Sequence, residues 1–142
     1  MISTKYSIWL LLSKEDKTYI SDIISSLGIE YNAPIFHPHC TLFSPVTNLE
    51  TAQTLIDQLN IKPFDVQMRG LGQTNIIWKT VFIKLEVNPY LTLLNYLFSQ
   101  EFDTDYEFLP HFSLIYKDMD SDLKNKIIKK LDLKDTYKVN GI

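Results

Sequence analysis

The sequence predicts an α+β domain in which one arrangement of strands and amphipathic helices occurs twice. Apolar residues alternate between strand-like and helix-like spacing along all 142 residues, and helix-capping residues separate the two patterns. No linker or run of like charges divides the chain, so the two copies should share a core. We therefore expect residues 1–142 to form a single domain of two pseudo-symmetric lobes, with helices outside antiparallel strands.

The first half of the chain predicts three strands and two helices. Ser13 and Asp16 form a capping-box pattern, and Gly28 stands where a helix that begins after Ser13 would end. Pro38 lies inside the second strand and favours an edge position or a bulge, because proline cannot donate a backbone hydrogen bond. The predicted elements are strands at Lys5–Leu12, at Ile35–Ser44 and from Phe64 to near Gly70 and Gly72, and helices capped at Ser13 and Thr47.

The second half repeats this order. Val81, Ile83 and Leu85 share one face of a long strand, and Asn88 followed by Pro89 is a favourable start for the next helix. The predicted elements are strands at Ile76–Val87, at Phe108–Tyr116 and from Tyr137 onwards, and helices capped at Asn88 and Ser121. Each half thus has the order strand, helix, strand, helix, strand, which favours two similar lobes.

Charge and composition exclude several classes of function. The formal net charge is −3 and Arg69 is the only arginine, whereas proteins that grip long nucleic acids usually carry a basic stripe. The lysines at 124–130 should form a solvated helix face. The single cysteine, Cys40, excludes an internal disulfide and a cysteine-rich zinc site. The longest apolar run, Ile8–Leu12, is too short to span a bilayer and lacks the flanks of a signal peptide. We expect a cytoplasmic, monomeric chain that needs no cofactor and binds no membrane.

Two of the predicted strands carry the same short phrase. Pro38-His39-Cys40-Thr41-Leu42 matches Pro110-His111-Phe112-Ser113-Leu114, and the histidines are 72 positions apart, about half the chain length. Strand side chains alternate, so each histidine faces the same way as the hydroxyl residue two positions later. If the lobes pack face to face, both histidines and both hydroxyls can line one cleft.

This set of groups suits cleavage of a phosphoester without a metal ion. Because the pKa of free histidine is about 6.5, one imidazole can act as a base on water while the other protonates the leaving oxygen. The hydroxyls of Thr41 and Ser113 can donate to the non-bridging phosphate oxygens, where negative charge concentrates. A cyclic phosphodiester suits the site, because its strained ring favours departure of the leaving group. His39 and His111 are thus the candidate catalytic pair.

Other interpretations of these residues stay open at this point. Ser113 could be a covalent nucleophile beside a histidine base, although no nucleophile-elbow glycines surround it. His37, His39 and His111 could form a three-histidine zinc site, although no acidic partner is evident. The histidines could also be structural. A chelator would distinguish a zinc hydrolase from a metal-free enzyme.

The paired His-x-Thr and His-x-Ser phrases resemble the signature of the two-histidine (2H) phosphoesterase superfamily. Nearly the whole chain is similar to the cyclic phosphodiesterase branch of that superfamily. His37 stands where this branch often has an acidic residue, and the resemblance suggests that the final strand is cut short at Ile142. The similar segments are Tyr6-Ser7-Ile8-Trp9, Phe36-His37-Pro38-His39, the strand from Trp78 to Phe82, Asn88-Pro89, and Leu109 to Tyr116.

The resemblance implies a bilobal 2H-phosphoesterase fold in which two antiparallel sheets form a central cleft. It implies metal-independent hydrolysis of nucleoside 2′,3′-cyclic phosphates to 2′-phosphates, or of ADP-ribose 1″,2″-cyclic phosphate to ADP-ribose 1″-phosphate. By motif position, His39 and His111 correspond to the acid/base pair, with His111 favoured as the base. Thr41 and Ser113 correspond to phosphate-binding residues. The aromatic positions that could stack on a base or ribose are Tyr116, Trp9 and Trp78.

Rival functions use the same residues. Other members of the superfamily act on cyclic oligonucleotide signals or on RNA ends. The low positive charge of this chain favours a small substrate over RNA. A non-catalytic nucleotide-binding module would keep the pocket but leave a bound cyclic phosphate intact. Turnover of a defined cyclic phosphate distinguishes an enzyme from such a module.

Overall fold

The computed structural model describes residues 6–142, which contain six strands, four α-helices and one short 3-10 helix. The predicted α+β class is confirmed, while the predicted start of the first strand, Lys5, lies outside the described residues. Within them, no helix combines the length and apolar character that crossing a bilayer requires. The strands are β1 (Tyr6–Leu12), β2 (Cys40–Val46), β3 (Phe64–Gln73), β4 (Val81–Leu85), β5 (His111–Ile115) and β6 (Thr136–Gly141). The helices are α1 (Lys14–Tyr31), α2 (Leu49–Gln58), α3 (Pro89–Glu101) and α4 (Ser121–Lys130).

The six strands form one antiparallel sheet, where two sheets were expected, in the order β2-β1-β6-β3-β4-β5. The junction is β6, in which Gly141 pairs with Leu11 of β1 and Val139 pairs with Phe64 of β3. Because β6 has a hydrogen-bonded neighbour on each side, the β2-β1-β6 half is continuous with the β3-β4-β5 half. The final strand therefore lies at the centre of the sheet, and its edges are β2 and β5.

The two edge strands contact each other, so the sheet must be strongly curved. The buried side chain of Cys40 in β2 lies against the backbone of His111 in β5. The twist between neighbouring strands accumulates across a sheet and can bring its opposite edges together. The predicted edge position of the strand that follows Pro38 is confirmed. The curvature places the two His-x-Ser/Thr phrases beside each other.

One face of the β3-β4-β5 half packs into the core. Leu71, Ile83 and Phe112 lie opposite one another on these strands, and the last two are fully buried. The alternate residues of β5, His111 and Ser113, face the other side of the sheet. The period-two prediction for this strand is therefore confirmed, and the functional groups lie on the face away from the core residues.

Helix α1 is anchored to the segment leading into β6 by Asp16. Its buried carboxylate pairs with Lys134 and accepts a hydrogen bond from the backbone N–H of Lys138 over 2.6 Å. Burial raises the pKa of Asp16, but the bonds from Lys134 and Lys138 outweigh burial and hold it below its ordinary value. Ser13 caps the helix as predicted, since its Oγ accepts from the backbone N–H of Asp16 over 3.4 Å.

The predicted end of α1 is wrong, because the left-handed residue that ends the helix is Asn32 and not Gly28. The helix continues past Gly28 to Tyr31, and Asn32 ends it in the left-handed conformation with φ of 54°. Gly28 serves packing instead, because a Cβ there would lie 3.0 Å from the backbone oxygen of Ala33. The glycine therefore allows the chain to turn back closely against the helix.

Two predicted caps are displaced by one residue. Asn48 caps α2 instead of Thr47, and Asp120 caps α4 instead of Ser121. The asparagine that caps α2 follows the predicted Thr47, whereas the aspartate that caps α4 precedes the predicted Ser121, and both residue types are suited to capping. Asn88 caps α3 as predicted, with Oδ1 2.8 Å from the backbone nitrogen of a residue in the first turn.

Three predicted strands are shorter than expected, and the one predicted at Phe108–Tyr116 is confined to β5. The strand predicted at Ile35–Ser44 begins only at Cys40, because the preceding residues, which include Pro34 and Pro38, do not join the ladder. The strand predicted at Ile76–Val87 is confined to β4, because residues 77–79 form the 3-10 helix. This irregular segment before β4 carries part of the candidate site.

Candidate active site

A cleft of about 490 Å³ lies between β2 and β5 and is lined by every residue that the sequence predicts as a catalytic, phosphate-binding or stacking group. His39 directly precedes β2, and His111 is the first residue of β5. Cys40 and Leu42, which alternate with His39 and Thr41 along the strand, are buried in the core and so face the other way, as the alternation predicts. The predicted residues that line the cleft are His39, His111, Thr41, Ser113, Tyr116, Trp9 and Trp78.

The two histidines are held in the same way. Nδ1 of His39 lies 2.8 Å from the backbone oxygen of His37, and Nδ1 of His111 lies 2.7 Å from that of Leu109. A carbonyl oxygen can only accept, so Nδ1 of each ring donates and the neutral ring keeps Nε2 as its free acceptor. In both cases the carbonyl belongs to the residue two positions earlier. Each imidazole is therefore oriented to exchange a proton at Nε2.

The pKa values of both histidines are lowered, chiefly because burial disfavours the charged ring. The bond to the backbone oxygen opposes this shift in each ring, and nearby positive charge adds to it. The charge that lowers the pKa of His39 is on His37, and the charges that lower the pKa of His111 are on Lys79 and His39. Because a charge on His39 disfavours one on His111, the pair favours one proton over two.

The aromatic rings of the cleft differ in how much of their surface is left uncovered by other rings. The indole of Trp9 stacks on the imidazole of His39, with ring centroids 3.6 Å apart, and Tyr116 stacks on Phe36 at 3.7 Å. Trp78 meets Tyr116 only edge to face, at 5.2 Å, and is 65% exposed. One face of Trp9 and one face of Tyr116 are therefore covered. Trp78 is the ring most free to stack on a nucleobase.

The two hydroxyl residues of the motifs are in different states. Ser113 is buried, and its Oγ donates to the backbone oxygen of Trp78 over 2.9 Å. Thr41 is half-buried, and no partner for its hydroxyl is found among residues 6–142. Thr41 can therefore donate directly to a ligand oxygen. Ser113 must first release the Trp78 carbonyl, so it also fixes the segment that carries the exposed indole.

That segment, residues 74–80, is held from α4 by a buried lysine. Nζ of Lys124 donates to the backbone oxygen of Thr74 over 2.9 Å and to Oδ1 of Asn75 over 3.0 Å. Lys124 is only 1% exposed, so the prediction of a solvated lysine face is wrong at this position, although the later lysines of α4 are exposed. The buried ammonium supports the turn from which Trp78 projects.

The cleft also contains residues that the sequence analysis did not single out. Lys79 brings an ammonium group close enough to His111 to lower its pKa. Burial raises the pKa of Tyr106 to about 12, which keeps its phenol protonated. None of these residues belongs to the repeated phrase. Only Lys79 could have been predicted as a cleft residue from the sequence, because it directly follows Trp78. The additional lining residues are Ser7, Ser44, Ile76, Lys79 and Tyr106.

The three-histidine zinc interpretation is wrong. In the part of the chain that the structure describes, no three His, Cys, Asp or Glu side chains are grouped closely enough to hold a metal ion. His37 is exposed and does not line the cleft with His39 and His111. Cys40 is buried, and burial raises the pKa of its thiol to about 12, so it stays protonated and unreactive.

Any chemistry assigned to this cleft rests on its geometry. Two imidazoles with free Nε2 atoms and two hydroxyls line one space whose volume is within the range of small-molecule sites. No family model matches the chain, and no curated protein matches it by sequence.

Proposed function

We propose that this chain hydrolyses cyclic phosphodiesters through a pair of histidines, as a 2H phosphoesterase of bilobal fold. The matched anchoring of His39 and His111 carries the proposal, since Nδ1 bonds of 2.8 and 2.7 Å leave both Nε2 atoms free in one cleft. The substrates are nucleoside 2′,3′-cyclic phosphates, or ADP-ribose 1″,2″-cyclic phosphate. The β2-β1-β6 and β3-β4-β5 halves, each with one histidine strand at its edge, support the two-lobed interpretation.

His111 is assigned as the base and His39 as the acid. For a 2′,3′-cyclic phosphate, Nε2 of neutral His111 takes a proton from water, whose oxygen bonds to phosphorus. The bond from phosphorus to O3′ breaks, and protonated His39 gives its proton to O3′. His111 then holds a proton that His39 has lost, and exchange with solvent restores both rings. The positive charge of Lys79 supports this direction by favouring neutral His111, and stacking on Trp9 supports a cation at His39.

The remaining polar groups stabilise the phosphate in this scheme. Thr41, whose hydroxyl is free, donates to one non-bridging oxygen. Ser113 donates to another after its bond to the Trp78 carbonyl is released. Donors already oriented at the oxygens where charge develops lower the barrier to cleavage. Trp78, as the most exposed ring of the cleft, provides the stacking surface for the base.

A panel of defined substrates tests the proposal. The chain is incubated with nucleoside 2′,3′-cyclic phosphates, ADP-ribose 1″,2″-cyclic phosphate and cyclic dinucleotides, with and without a chelator, and products are identified by phosphorus NMR. The expected result is a 2′-phosphate from the nucleoside substrates at a rate that the chelator does not change. Binding of an intact cyclic phosphate without turnover would instead support a binding module.

Substitutions of the histidines complete the test. His39→Gln and His111→Gln are each expected to reduce turnover by roughly 100- to 10,000-fold, because each removes one proton-transfer group. His37→Gln is the matched control, since it removes an exposed imidazole that does not line the cleft. It should leave turnover within a few fold. Wild-type turnover in the His39 or His111 variant, at an unchanged melting temperature, contradicts the mechanism.

A further inference from the structure

A second groove adjoins the cleft beside His111. It has a volume of about 420 Å³ and shares His111 and Lys79 with the cleft. Three cationic side chains, Arg69, Lys79 and Lys84, line it, and none of the described residues that line it is acidic. The whole chain has a formal net charge of −3, so this positive charge is local to the groove.

The sheet register puts the groove on the face that carries the candidate site. Lys84 on β4 pairs with His111 on β5 and with Gly70 on β3. Directly opposed residues project to the same side, with Cβ atoms about 5 Å apart on adjacent strands. The side chain of Lys84 therefore leaves the backbone one strand away from His111, on the same side of the sheet.

Strand β3 contains two glycines next to residues that line the groove. A Cβ at Gly72 would lie 2.5 Å from the ring of Phe82 and 2.8 Å from Cε of Lys84, so only glycine lets these side chains cross the strand. At Gly70, φ is 126°, and no atom lies within 4 Å of an added Cβ. A register shift next to Gly70 adds one residue to β3, and such bulges re-aim neighbouring side chains. Arg69, beside this bulge, lines the groove.

The groove cations are available to an anion. In the described part of the chain the ion pair found is that of Lys134 with Asp16, so none of the groove cations has a carboxylate partner. Nζ of Lys79 lies 4.7 Å from the centroid of the Phe82 ring, and that ring meets His111 at 5.4 Å. Lys79 therefore stands where the groove joins the cleft.

We propose that this groove binds a second phosphoryl group of the substrate, so that the preferred substrates are small nucleotides with a phosphate beyond the cyclic phosphodiester. The inference rests on the proposed function and adds a substrate class to it. Lys84 lies one strand spacing and Arg69 two strand spacings, about 10 Å, from His111 on β5, so both cations lie to one side of the reacting phosphorus. Arginine and lysine bind phosphate oxygens through charge-assisted hydrogen bonds.

Ligands that are not hydrolysed test the groove independently of turnover. The dissociation constants of adenosine 2′-phosphate and adenosine 2′,5′-bisphosphate are measured by calorimetry. The bisphosphate is expected to bind at least about tenfold more tightly, because two free cations contact its additional phosphate. A dinucleotide with a terminal 2′-phosphate supplies the additional phosphate from an internucleotide linkage. Tighter binding of the bisphosphate identifies a terminal phosphate as the ligand of the groove, and tighter binding of the dinucleotide identifies an internucleotide phosphate.

Two matched double variants assign the preference to the groove. Arg69→Gln with Lys84→Gln should bring the two dissociation constants to within about twofold of each other. Lys126→Gln with Lys129→Gln removes the same charge from exposed positions on α4 and should keep the tenfold preference. Equal affinities in the wild type, no measurable binding of either ligand, or a preference that survives the Arg69 and Lys84 substitutions overturns the inference.

Turnover measured in parallel separates the two proposals. If the cyclic phosphates are hydrolysed but the bisphosphate has no advantage, the groove inference fails and the proposed function stands. If no cyclic phosphate is hydrolysed but the bisphosphate preference depends on Arg69 and Lys84, the groove binds phosphate and the proposed function fails.

Discussion

The indole of Trp9 stacks on the imidazole of His39, with ring centroids 3.6 Å apart and planes within 13° of parallel. Strand pairing produces this contact, since Trp9 on β1 is paired with Thr41 on β2, two residues after His39. The indole shields one face of the imidazole from water and attracts it when it is charged. Because His39 covers one face of the indole, Trp9 is better placed to position His39, the proposed acid, than to stack on a base.

Replacement of Trp9 tests this positioning role. Trp9→Leu is expected to lower kcat roughly 10- to 100-fold with a smaller change in KM, because the acid loses its orientation while the phosphate-binding hydroxyls stay in place. Trp9→Phe keeps an aromatic face and should recover most of the loss. Steady-state kinetics check both variants. A rise in KM alone would point to a substrate contact instead.

The pH dependence of kcat/KM should be bell-shaped and displaced to the acid side. Burial lowers the pKa of both His39 and His111, so the base becomes neutral and the acid loses its proton at lower pH than free histidine would. Activity therefore rises through the pKa of the base and falls through that of the acid, with both inflections below about 6.5. A rate that stays constant from neutral pH into the alkaline range contradicts paired histidine catalysis.

Lys79→Met should raise the pKa of His111. The charge of Lys79 lowers that pKa, so an apolar side chain of similar length allows the ring to hold its proton to higher pH. Titration of the imidazole signals by NMR measures the shift. His39 is the internal control, because the charge that lowers its pKa is on His37 rather than Lys79. Equal shifts of both rings would indicate a general structural change.

The two motif hydroxyls should respond differently to removal. Thr41→Val is expected to lower turnover without changing stability, since no partner for its hydroxyl is found among the described residues. Ser113→Ala should lower turnover and also reduce the free energy of unfolding by about 1 kcal/mol, because its Oγ donates to the Trp78 backbone oxygen. Urea denaturation followed by intrinsic fluorescence checks the difference. Identical unfolding curves for the two variants would contradict it.

Tyr137→Phe should stabilise the fold. Within residues 6–142 the buried hydroxyl of Tyr137 has no hydrogen-bonding partner, so its removal is expected to raise the free energy of unfolding by up to about 1 kcal/mol. Tyr19→Phe is the matched control, because the Tyr19 hydroxyl accepts from the backbone N–H of Lys134 over 3.0 Å. That variant should be destabilised by about the same amount. Loss of stability in Tyr137→Phe would mean that its hydroxyl is satisfied.

The part of the fold that could be predicted follows from local rules. Ser13 and Asn88 cap their helices as expected, because a cap depends only on the residues of one helical turn. The alternation that buries Phe112 beside His111 follows from strand geometry alone. The end of α1 was mispredicted because asparagine as well as glycine can take the left-handed conformation that ends a helix, and Asn32 takes it here.

The candidate site, like the fold, could be predicted from the sequence only in part. The repeated phrase singled out both histidines and both hydroxyls, and all of them line one cleft. Lys79 and Tyr106 belong to neither repeated phrase, and each reaches the cleft from an irregular segment, the 3-10 helix for Lys79 and the segment between α3 and β5 for Tyr106. Burial of Lys124 was also unforeseen, since its charged group is satisfied by the distant Thr74 and Asn75.

By itself, the sequence determined the order of strands and helices, the face on which each motif residue lies, and the identity of the two imidazoles. Only the tertiary structure decided that β6 joins the two halves into one sheet and that β2 and β5 meet at its edges. The local conformational preference of the chain acts over one helical turn or a few strand residues. Strand partners, sheet curvature and buried polar contacts instead depend on hydrogen bonds and apolar burial between residues far apart in the chain.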